Sequence, residues 1–365
     1  MNIVHVCRSG WPAVGGLESS VGGLARMQAE RGHTVRVVTL DRGAHGRWLP
    51  PGLHGGVHHD RLPAVGPRRY PFARGLVGAV CGADVVHAHA LDGLADTLVA
   101  TRARHRVPVG VSTHGGYFHT PRHRWLKAAW LRTGTRRTLR NADAVWFTSA
   151  ADQRRLAPAG ARGTVIGDGV DVDVFSRVLR APEAGRWLVP GRIDVHKGLD
   201  DLIDVLGLLA ARGAAPRRVV ITGEERVPGL RAALMDQAAR AGVGALLLFT
   251  GSVSREALAS ELARTELAVF PSRYEGFGIA AVEAMAAAVP VAVADIAPLR
   301  EHVDAGAAGL VVPFCDPERA ATALMAAHGT DLAALASRGQ QRAQRHGWPA
   351  VATAFLGAYA ALVAQ

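Results

Sequence analysis

The chain is predicted to fold into two doubly wound α/β domains, and three observations indicate this. Its 365 residues are enough for about two domains. Hydrophobic residues make up 49% of them, which is sufficient for sizeable cores. Short apolar, β-branched runs alternate with amphipathic stretches along the chain, and this alternation is typical of parallel sheets covered by helices on both faces.

The order of these elements places them in two sets. The first half holds the strand candidates NIVHV, TVRVVTL, DVVHAHA, VPVGVSTH, AVWFTS and GTVIGDGV, and between the first two a helix is indicated by Leu17, Val21, Leu24 and Gln28 at helical spacing. The second half holds the strand candidates RWLVPGR, RVVITG, ALLLFTG, LAVFPS, PVAVAD and GLVVP, with helices such as LDDLIDVLGLLAARG and REALASELART between them. We place the domain boundary in the polar segment 176–186. Residues 1–178 then form the first domain, residues 179–345 the second, and residues 346–365 a last helix.

Charge and cysteine content restrict the compartment and the partners. The net charge is +11, and nearly all of the excess is arginine, since only Lys127 and Lys197 are lysines. Two explanations stay open, the codon bias of a GC-rich genome and an anionic partner such as nucleotide phosphates, lipid or nucleic acid. Three scattered cysteines without a C-x-x-C pair argue against a disulfide scaffold or a zinc site. With no long apolar run and no signal-like leader, we expect a cytoplasmic protein.

The stretch RYEGFGIAAVEAM, residues 273–285, carries the clearest chemistry. It follows a strand, so it lies where open parallel sheets bind ligands, and Gly276 and Gly278 allow close backbone approach. A helix beginning at about Ile279 would direct free N–H groups at a phosphate. Glu275 precedes this helix and Glu283 lies within it, about 12 Å further on if the segment is helical. That is the span from a sugar, across a diphosphate, to a ribose.

Several motifs in order resemble the GT-B glycosyltransferases of family 4, which retain the anomeric configuration. The set consists of Gly15-Gly16, His114-Gly115, GVDxxxF at 169–175, GRxxxxKG at 191–198, TGSVS at 250–254, E-x7-E from Glu275 to Glu283, and AGLVVP at 308–313. The resemblance implies a GT-B fold, with two Rossmann-like domains facing across a cleft. It places the acceptor in the first domain and the nucleotide sugar in the second, and it implies that the last helix crosses back to the first domain.

The resemblance also assigns roles to residues. Arg192 and Lys197 should hold the donor's diphosphate, while Glu275 and His114 should orient the sugar. Glu283 should bind the ribose, and the remaining donor-binding positions implied are Gly15, Gly16, Gly276, Phe277, Gly278 and Ile279. Two fixed cations and a helix dipole offset the phosphate charge without a metal, so we expect neither a metal nor another cofactor. The leaving phosphate is expected to take the acceptor's proton, and no protein base is named.

Two other patterns bear on metals. Asp171 and Asp173 form a D-x-D, which indicates a metal-bound nucleotide-sugar site in a different transferase fold, but here it lies inside the GVDxxxF motif. Asp168 stands before that motif, where the family usually has Asn. His87 and His89 share one face of a strand, but the sequence shows no third ligand, and we interpret them as cleft-wall residues.

A basic stretch in the first domain suggests the acceptor. Residues 122–140 hold seven cations without an acid, namely Arg122, Arg124, Lys127, Arg132, Arg136, Arg137 and Arg140, interleaved with Trp125 and Trp130. This pattern suits an anionic membrane surface, and we hypothesise a lipid-linked acceptor on the cytoplasmic face. The alternative is an ordinary solvated helix and a soluble acceptor, such as a natural-product aglycone or a small sugar.

Three other activities are less consistent with the sequence. A nucleotide-sugar epimerase or hydrolase of the same fold would act without an acceptor. A dinucleotide oxidoreductase needs G-x-G-x-x-G after the first strand, which CRSGWPAVGGLESS does not supply. No nucleic-acid-reading module is visible, so no nucleic-acid partner is expected. The nucleotide base, the sugar and the acceptor are left open, with GDP-mannose, UDP-glucose and UDP-N-acetylglucosamine all compatible.

Overall fold

A computed structural model describes residues 1–10, 15–41, 50–67, 70–115 and 124–364, apart from the side chains of Arg124, Leu126, Lys127 and His328. The chain divides into two compact units, Met1–Val170 with Trp348–Gln365, and Asp171–Gly347. The sequence predicts these divisions at 178/179 and 345/346. The short helix Val172–Phe175 packs on helix Ile279–Ala286 of the second unit, so the structure assigns it there.

The first unit is built on an eight-stranded sheet. Its elements are β1 (Asn2–Val6), α1 (Gly16–Glu30), β2 (Thr34–Leu40), β3 (Gly52–His54), β4 (Val57–Leu62), β5 (Ala64–Val65), β6 (Phe72–Ala73), α2 (Leu76–Val80), β7 (Val85–His89), α3 (Gly93–Ala100), α4 (Arg102–His105), β8 (Val109–Ser112), α5 (Arg124–Trp130), a π-helix (Leu131–Thr135), α6 (Arg136–Asn141), β9 (Ala144–Phe147), α7 (Ala150–Leu156) and β10 (Thr164–Val165). The strand order is β10-β9-β8-β7-β1-β2-β4-β3, and all neighbours are parallel except β3 with β4.

The second unit has a six-stranded parallel sheet. Its elements are α8 (Val172–Phe175), β11 (Arg186–Pro190), a 3-10 helix (Val195–Lys197), α9 (Leu199–Ala211), β12 (Arg218–Thr222), α10 (Leu230–Arg240), β13 (Leu247–Gly251), α11 (Arg255–Arg264), β14 (Leu267–Phe270), α12 (Ile279–Ala286), β15 (Val291–Ala294), α13 (Ala297–His302), β16 (Leu310–Val312), α14 (Pro317–Ala326) and α15 (Leu332–Ala343). The order is β13-β12-β11-β14-β15-β16. The last helix, α16 (Trp348–Val363), belongs to the first unit and packs on α1.

The predicted strand and helix pattern is confirmed in both units. The central strands β7, β8, β11, β14 and β15 are buried at every position, as continuous apolar runs predict. The hairpin β3–β4 was not predicted. The sequence of β4, VHHDRL, is largely polar, and β3 is an exposed edge strand, so neither shows an apolar pattern.

In the described part of the chain, no helix combines the length and apolar character needed to cross a membrane.

Candidate functional site

The segments after β11 and β14 carry most of the residues predicted to bind the donor. These two strands are neighbours in the sheet. After β11 the chain continues to β12 on one side of β11, and it later returns to β14 on the other side. A doubly wound sheet binds its ligands at such a switch point. The segment after β11 carries Arg192 and Lys197, and the segment after β14 carries Ser272 and Glu275. A small pocket at this edge is lined by Arg192, Lys197 and Ser272, among others.

Lys197 and Glu275 form a mostly buried ion pair. The distance from Lys197 Nζ to Glu275 Oε1 is 2.6 Å, and the side chains are 18% and 13% exposed. Ser272 Oγ donates to the same oxygen at 2.8 Å. Burial favours the protonated acid, but Lys197 and Ser272 outweigh it and hold the pKa of Glu275 below its usual value. The carboxylate is therefore ionised and held in one position.

The loop between β11 and α9 needs glycine at both ends. Gly191 has φ 134° and Gly198 has φ 63°, values that favour glycine. A Cβ on Gly198 would lie 2.2 Å from the carbonyl oxygen of Pro271, so only glycine allows the two loops to approach. This is the physical reason for the glycines of the predicted GRxxxxKG motif.

Arg273 joins the same two loops, and the sequence analysis did not identify it. Its backbone N–H donates to the carbonyl oxygen of His196 at 2.8 Å. Its guanidinium donates to Asp200 at 2.7 Å and Asp201 at 2.6 Å, both in the first turn of α9. Arg273 thus fixes the loop of Glu275 against the loop of Lys197. No local pattern indicates this contact, because Arg273 lies 73 and 72 residues along the chain from Asp200 and Asp201.

Arg192 is exposed, and within the described residues its side chain makes no ion pair or hydrogen bond. Its loop is fixed by the neighbouring residue, because Ile193 donates to the carbonyl oxygen of Glu224 at 2.8 Å and accepts from Arg226 at 2.9 Å. A positive charge at the pocket edge, on a fixed backbone, suits an anionic ligand.

Helix α12 begins immediately after the Gly276-Phe277-Gly278 turn. Gly278 caps the helix with φ 99°, and a Cβ there would meet Leu299 at 2.7 Å. The helix starts at Ile279, as predicted, so its free N–H groups lie at this turn. Within the helix Glu283 is half-buried, and burial raises its pKa to about 7 although the charge of Arg255 opposes this.

Two histidines, His302 and His346, pack against Phe277 in this turn. His302 Nε2 donates to the carbonyl oxygen of Phe277 at 2.8 Å, and the two rings meet edge to face at 4.6 Å. His346 also lies edge to face with Phe277, at 5.1 Å. Burial lowers the pKa of His302 to about 3, so the ring is neutral. These contacts hold the turn that precedes α12, and sequence patterns alone did not indicate either histidine.

In the first unit, His114 follows β8 in a left-handed backbone conformation with φ 44°. Both of its ring nitrogens have partners there. Nε2 lies 2.9 Å from His89 Nδ1, and Nδ1 lies 3.1 Å from Asp168 Oδ1. Asp168 also accepts from Ser20 at 2.8 Å, which gives a structural role to the acid where the family usually has Asn. A sugar hydroxyl bound by this ring would have to share one of these contacts.

Gly15 and Gly16 lie at the start of α1. Gly15 is the N-cap, with extended φ 176°, and α1 begins at Gly16. A Cβ on Gly15 would meet the flexible carboxylate of Glu18 at 2.4 Å. Residues 11–14 of this loop lie outside the described residues.

The aspartates of the D-x-D differ in environment. Asp171 forms an ion pair with Arg255, a residue that was not predicted from the sequence. Asp173 is exposed in the first turn of α8. The ion pair connects the GVDxxxF segment to the segment after β13, and the charge of Arg255 also acts on Glu283.

The basic stretch forms α5, the π-helix and α6. Trp125 is 72% exposed and Trp130 is 40% exposed. The arginines described there, Arg132, Arg136, Arg137 and Arg140, are all exposed. Arg122 lies outside the described residues, and the side chains of Arg124 and Lys127 are not described. The predicted combination of exposed arginine and tryptophan is therefore present in the described part of this segment.

Comparison with known protein families gives two adjoining matches. Residues 14–174 match the family model described as Glycosyltransferase Family 4. Residues 176–332 match the model described as Glycosyl transferases group 1.

Curated relatives align over most of the chain. A GDP-mannose:cellobiosyl-diphosphopolyprenol alpha-mannosyltransferase of Xanthomonas campestris is 36% identical over 324 residues, covering 86% of this chain and 83% of the relative. The protein of the same description from Komagataeibacter xylinus is 32% identical, covering 98% of this chain and 93% of the relative. A D-inositol 3-phosphate glycosyltransferase of Jonesia denitrificans is 28% identical, covering 94% and 91%.

Solved structures confirm the predicted GT-B fold class. The sucrose-phosphate synthase of Thermosynechococcus elongatus superposes with a TM-score of 0.83 at 21% identity, covering 100% of this chain and 99% of that chain. Anabaena HepE, in complex with UDP and glucose, superposes with a TM-score of 0.79 at 20% identity, covering 99% and 100%.

Proposed function

Since the chain belongs to the family 4 glycosyltransferases, we propose that it transfers mannose from GDP-mannose to a saccharide on a diphosphopolyprenol carrier, with retention of the anomeric configuration and without a metal. The observation that carries this proposal is the arrangement around β11 and β14. Arg192, the Lys197–Glu275 pair and the turn that opens α12 all lie at the carboxyl edge of one sheet. The mannose donor and the lipid-linked acceptor are taken from the descriptions of the relatives in Xanthomonas and Komagataeibacter.

The chemistry is electrostatic. When the bond between the sugar and the diphosphate breaks, negative charge grows on the leaving phosphate. Lys197, Arg192 and the free N–H groups at the start of α12 stabilise that charge without rearranging. Glu275 accepts hydrogen bonds from sugar hydroxyls, and Glu283 accepts them from the ribose.

The linkages named in the relatives' descriptions support retention. GDP-mannose carries its mannose in α linkage, and the relatives are described as alpha-mannosyltransferases. The acceptor hydroxyl must therefore attack the face that the diphosphate leaves. On that face the departing phosphate oxygen is the nearest base, and it takes the acceptor's proton.

A donor screen tests the proposal. Purified protein is heated with GDP, UDP and ADP, and then with their sugars, and the shift of the unfolding temperature is recorded. GDP and GDP-mannose should give the largest shifts. The product formed on a synthetic cellobiosyl-diphospholipid should carry an α-linked mannose by NMR. Stabilisation by UDP-sugars alone would reject the donor, and a β-linked product would reject retention. Sugar-nucleotide turnover that needs no acceptor would favour the epimerase or hydrolase alternative.

The lipid-linked acceptor also implies a membrane surface. The exposed Trp125 and Trp130 and the exposed arginines of α6 and the π-helix support docking of this segment on an anionic membrane. Each cation near such a surface contributes about 1 kcal/mol, so three engaged arginines give reversible binding. Salt should weaken it, since the screening length falls to about 3 Å at 1 M.

Vesicle co-sedimentation tests this part separately. Replacing Arg132, Arg136 and Arg137 by Glu should release the protein from anionic vesicles and leave nucleotide binding unchanged. The matched control reverses three exposed arginines of the second unit, by the substitutions Arg217→Glu, Arg240→Glu and Arg319→Glu, and changes the net charge equally. If both triple variants lose vesicle binding to the same extent, the attraction is one of net charge and not of this segment. Wild-type protein that ignores anionic vesicles at low salt removes the membrane from the proposal and favours a soluble acceptor.

A further inference from the structure

An open cavity of about 760 Å³ lies in the first unit, between the end of α3, α4, the π-helix and α6. Its lining includes three arginines, Arg102, Arg106 and Arg137, together with Trp130 and Gly134. In a doubly wound sheet, the helix that follows a strand runs back toward the amino ends of the strands. The end of α3 therefore lies away from the carboxyl edge, where the first sheet is expected to bind its substrates. A ligand in this cavity would occupy an additional site.

The two acids at this cavity are already engaged. Asp143 forms an ion pair with Arg102, with 2.7 Å between Oδ1 and Nη2, and its other oxygen accepts from the first backbone N–H of β8 at 2.8 Å. Asp96 accepts hydrogen bonds from Tyr70 at one oxygen and from Thr138 at the other. All four carboxylate oxygens thus have a partner within the protein.

Two of the arginines remain available to a ligand. Among the described residues, the guanidinium groups of Arg106 and Arg137 have no partner in an ion pair or a hydrogen bond, and both side chains are exposed. A guanidinium carries five N–H donors in a planar fork, which fits the oxygens of a phosphate group. Three arginines and two acids leave this cavity with a charge of +1. A phosphate diester, which carries one negative charge, balances it.

The backbone of Arg106 is strained. This residue ends α4 in the left-handed conformation, with φ 58° and ψ 23°, and its N–H donates to the carbonyl oxygen of Arg102 at 2.8 Å. Glycine and asparagine adopt this conformation at lower cost than arginine does. Strained residues of this kind concentrate at functional sites. The backbone therefore supports a functional role for the side chain of Arg106.

Trp130 gives the cavity an apolar wall. A Cβ on Gly134 would lie 2.5 Å from the ring of Trp130, so the glycine lets this ring lie against the π-helix. The ring also meets Tyr70 edge to face at 5.2 Å, and Tyr70 meets Phe72 at 5.6 Å. Trp130 and Phe72 are each 40% exposed. An aromatic surface thus continues from the cavity to the solvent, beside a π-helix, an element that is frequent at functional sites.

We propose that this cavity binds the phosphodiester headgroup of a membrane lipid. Arg106 and Arg137 donate to the phosphate, and the glycerol and the first methylene groups lie against Trp130. Tryptophan and arginine side by side suit the membrane interface, the level at which lipid phosphates lie. For its membrane source the proposal rests on the membrane contact in the proposed function. It adds Arg106, which lies outside the basic stretch 122–140, and it predicts selection of a headgroup.

A soluble lipid tests the cavity without a membrane. Dihexanoylphosphatidylglycerol is titrated below its critical micelle concentration into the full-length protein labelled with ¹⁵N-tryptophan. The indole signal of Trp130, assigned by its absence in Trp130→Phe, should shift and saturate. The signal of Trp187, which lies in the second unit, should stay constant.

The headgroup without its chains tests whether the ligand is a lipid or a free phosphate ester. Glycerophosphoglycerol has the same phosphodiester and no acyl chain. It should bind at least about tenfold more weakly than the lipid, because burial of two methylene groups accounts for about that factor. Equal affinity of the two compounds would make a soluble phosphate ester the ligand and would overturn the assignment to a lipid.

Two matched variants test the arginines. Arg106→Gln removes a proposed phosphate donor, and Arg104→Gln removes an exposed arginine of the same helix that does not line the cavity. The first should weaken binding of the soluble lipid by about tenfold or more, the size of one hydrogen bond to a charged group. The second should change it by less than about twofold. Thermal unfolding checks that both variants fold, and Arg137→Gln repeats the test from α6 if Arg106→Gln does not.

Vesicles separate headgroup recognition from net charge. Wild-type protein should bind vesicles containing phosphatidylglycerol more tightly than vesicles in which oleate supplies the same surface charge without phosphate. Arg106→Gln should lose this preference, and Arg104→Gln should keep it. Equal binding of both vesicles by the wild type would refute the headgroup site and leave the membrane contact standing. Binding to neither vesicle would refute the membrane contact, while the soluble titration still decides the cavity.

Three further results would overturn the proposal. They are an indole signal of Trp130 that does not respond to the soluble lipid, equal losses of lipid affinity in Arg104→Gln and Arg106→Gln, and displacement of the lipid by a short oligothymidylate at equal concentration. The last result would assign the cavity to the phosphodiesters of a nucleic acid.

Discussion

Replacing Glu275 by Gln separates the two roles that the structure gives this carboxylate. Gln has nearly the same shape and keeps an oxygen that can accept from Ser272. It removes the negative charge that lies 2.6 Å from Lys197 Nζ. We expect the variant to lose transfer, to unfold at lower temperature, and to bind nucleoside diphosphate at least as tightly as the wild type.

The size of the stability effect follows from burial. A hydrogen bond to a charged group contributes about 1.5–3 kcal/mol net. The two side chains are 18% and 13% exposed, so solvent screens the pair little. A loss of about 2 kcal/mol lowers the unfolding temperature of a unit of this size by about 4–8 °C. The same argument gives a pH sign. The pKa of Glu275 is lower in the folded protein than in the unfolded chain. Its contribution to the free energy of unfolding is therefore fully present above the pKa of the unfolded chain, and it is lost as the pH falls through the pKa of the folded protein.

The effect on nucleotide binding has the opposite direction. In the wild type the diphosphate competes with Glu275 for the charge of Lys197. Without the carboxylate the full charge of Lys197 is available, and GDP affinity should stay equal or rise by up to about tenfold, or 1.4 kcal/mol. Transfer should fall by about 100-fold or more, because a hydrogen bond to the reacting sugar is lost in the transition state.

Thermal unfolding with and without GDP, together with a transfer assay, measures all three effects. Lys197→Met should weaken GDP binding, in contrast to Glu275→Gln. The control Asp295→Asn breaks an exposed ion pair with Arg300 in the same unit and should change stability by less than about 1 kcal/mol. Near-normal turnover of Glu275→Gln, or the same loss of GDP affinity as in Lys197→Met, would refute the assignment of Glu275 and Lys197.

Three further predictions concern Glu283, His302 and metal dependence. The pKa of Glu283 is raised to about 7, and GDP binding favours the ionised carboxylate. GDP affinity should therefore increase from pH 6 to pH 8, and binding should release up to about one proton. Calorimetry in two buffers of different ionisation enthalpy measures the proton release, and a GDP affinity that does not depend on pH would contradict the prediction. The pKa of His302 is lowered to about 3 while the unfolded ring titrates near 6.5, so this group should lower the free energy of unfolding by about 1.4 kcal/mol per pH unit as pH falls between those values. Urea unfolding at several pH values should show a slope smaller by about one proton in His302→Gln, which keeps a donor for Phe277; an unchanged slope would show that His302 does not stay neutral. Transfer should survive EDTA, and a loss restored by Mg²⁺ or Mn²⁺ would instead assign a metal to Asp171 and Asp173.

The sequence by itself determined the fold class, and its resemblance to family 4 predicts the residues of the donor half. Apolar strands and amphipathic helices show short periodic patterns that can be recognised in the sequence alone. Strand β4 was not predicted because its residues are mostly polar. Glu275 was recognisable because it lies in the segment after a buried strand, and Lys197 was assigned through the resemblance to family 4. Parallel strands end at one edge of a sheet, so such residues meet wherever their strands are neighbours.

Tertiary structure decided the contacts between residues far apart in the chain. Arg273 clamps Asp200 and Asp201, and no local pattern marks that partnership. His5 lies 2.9 Å from His89 only because β1 pairs with β7, and the spacing of these two residues in the sequence does not indicate the contact. The physical reason is that a strand's sequence reports which face is buried, while the neighbour it hydrogen-bonds is chosen by packing of the whole sheet.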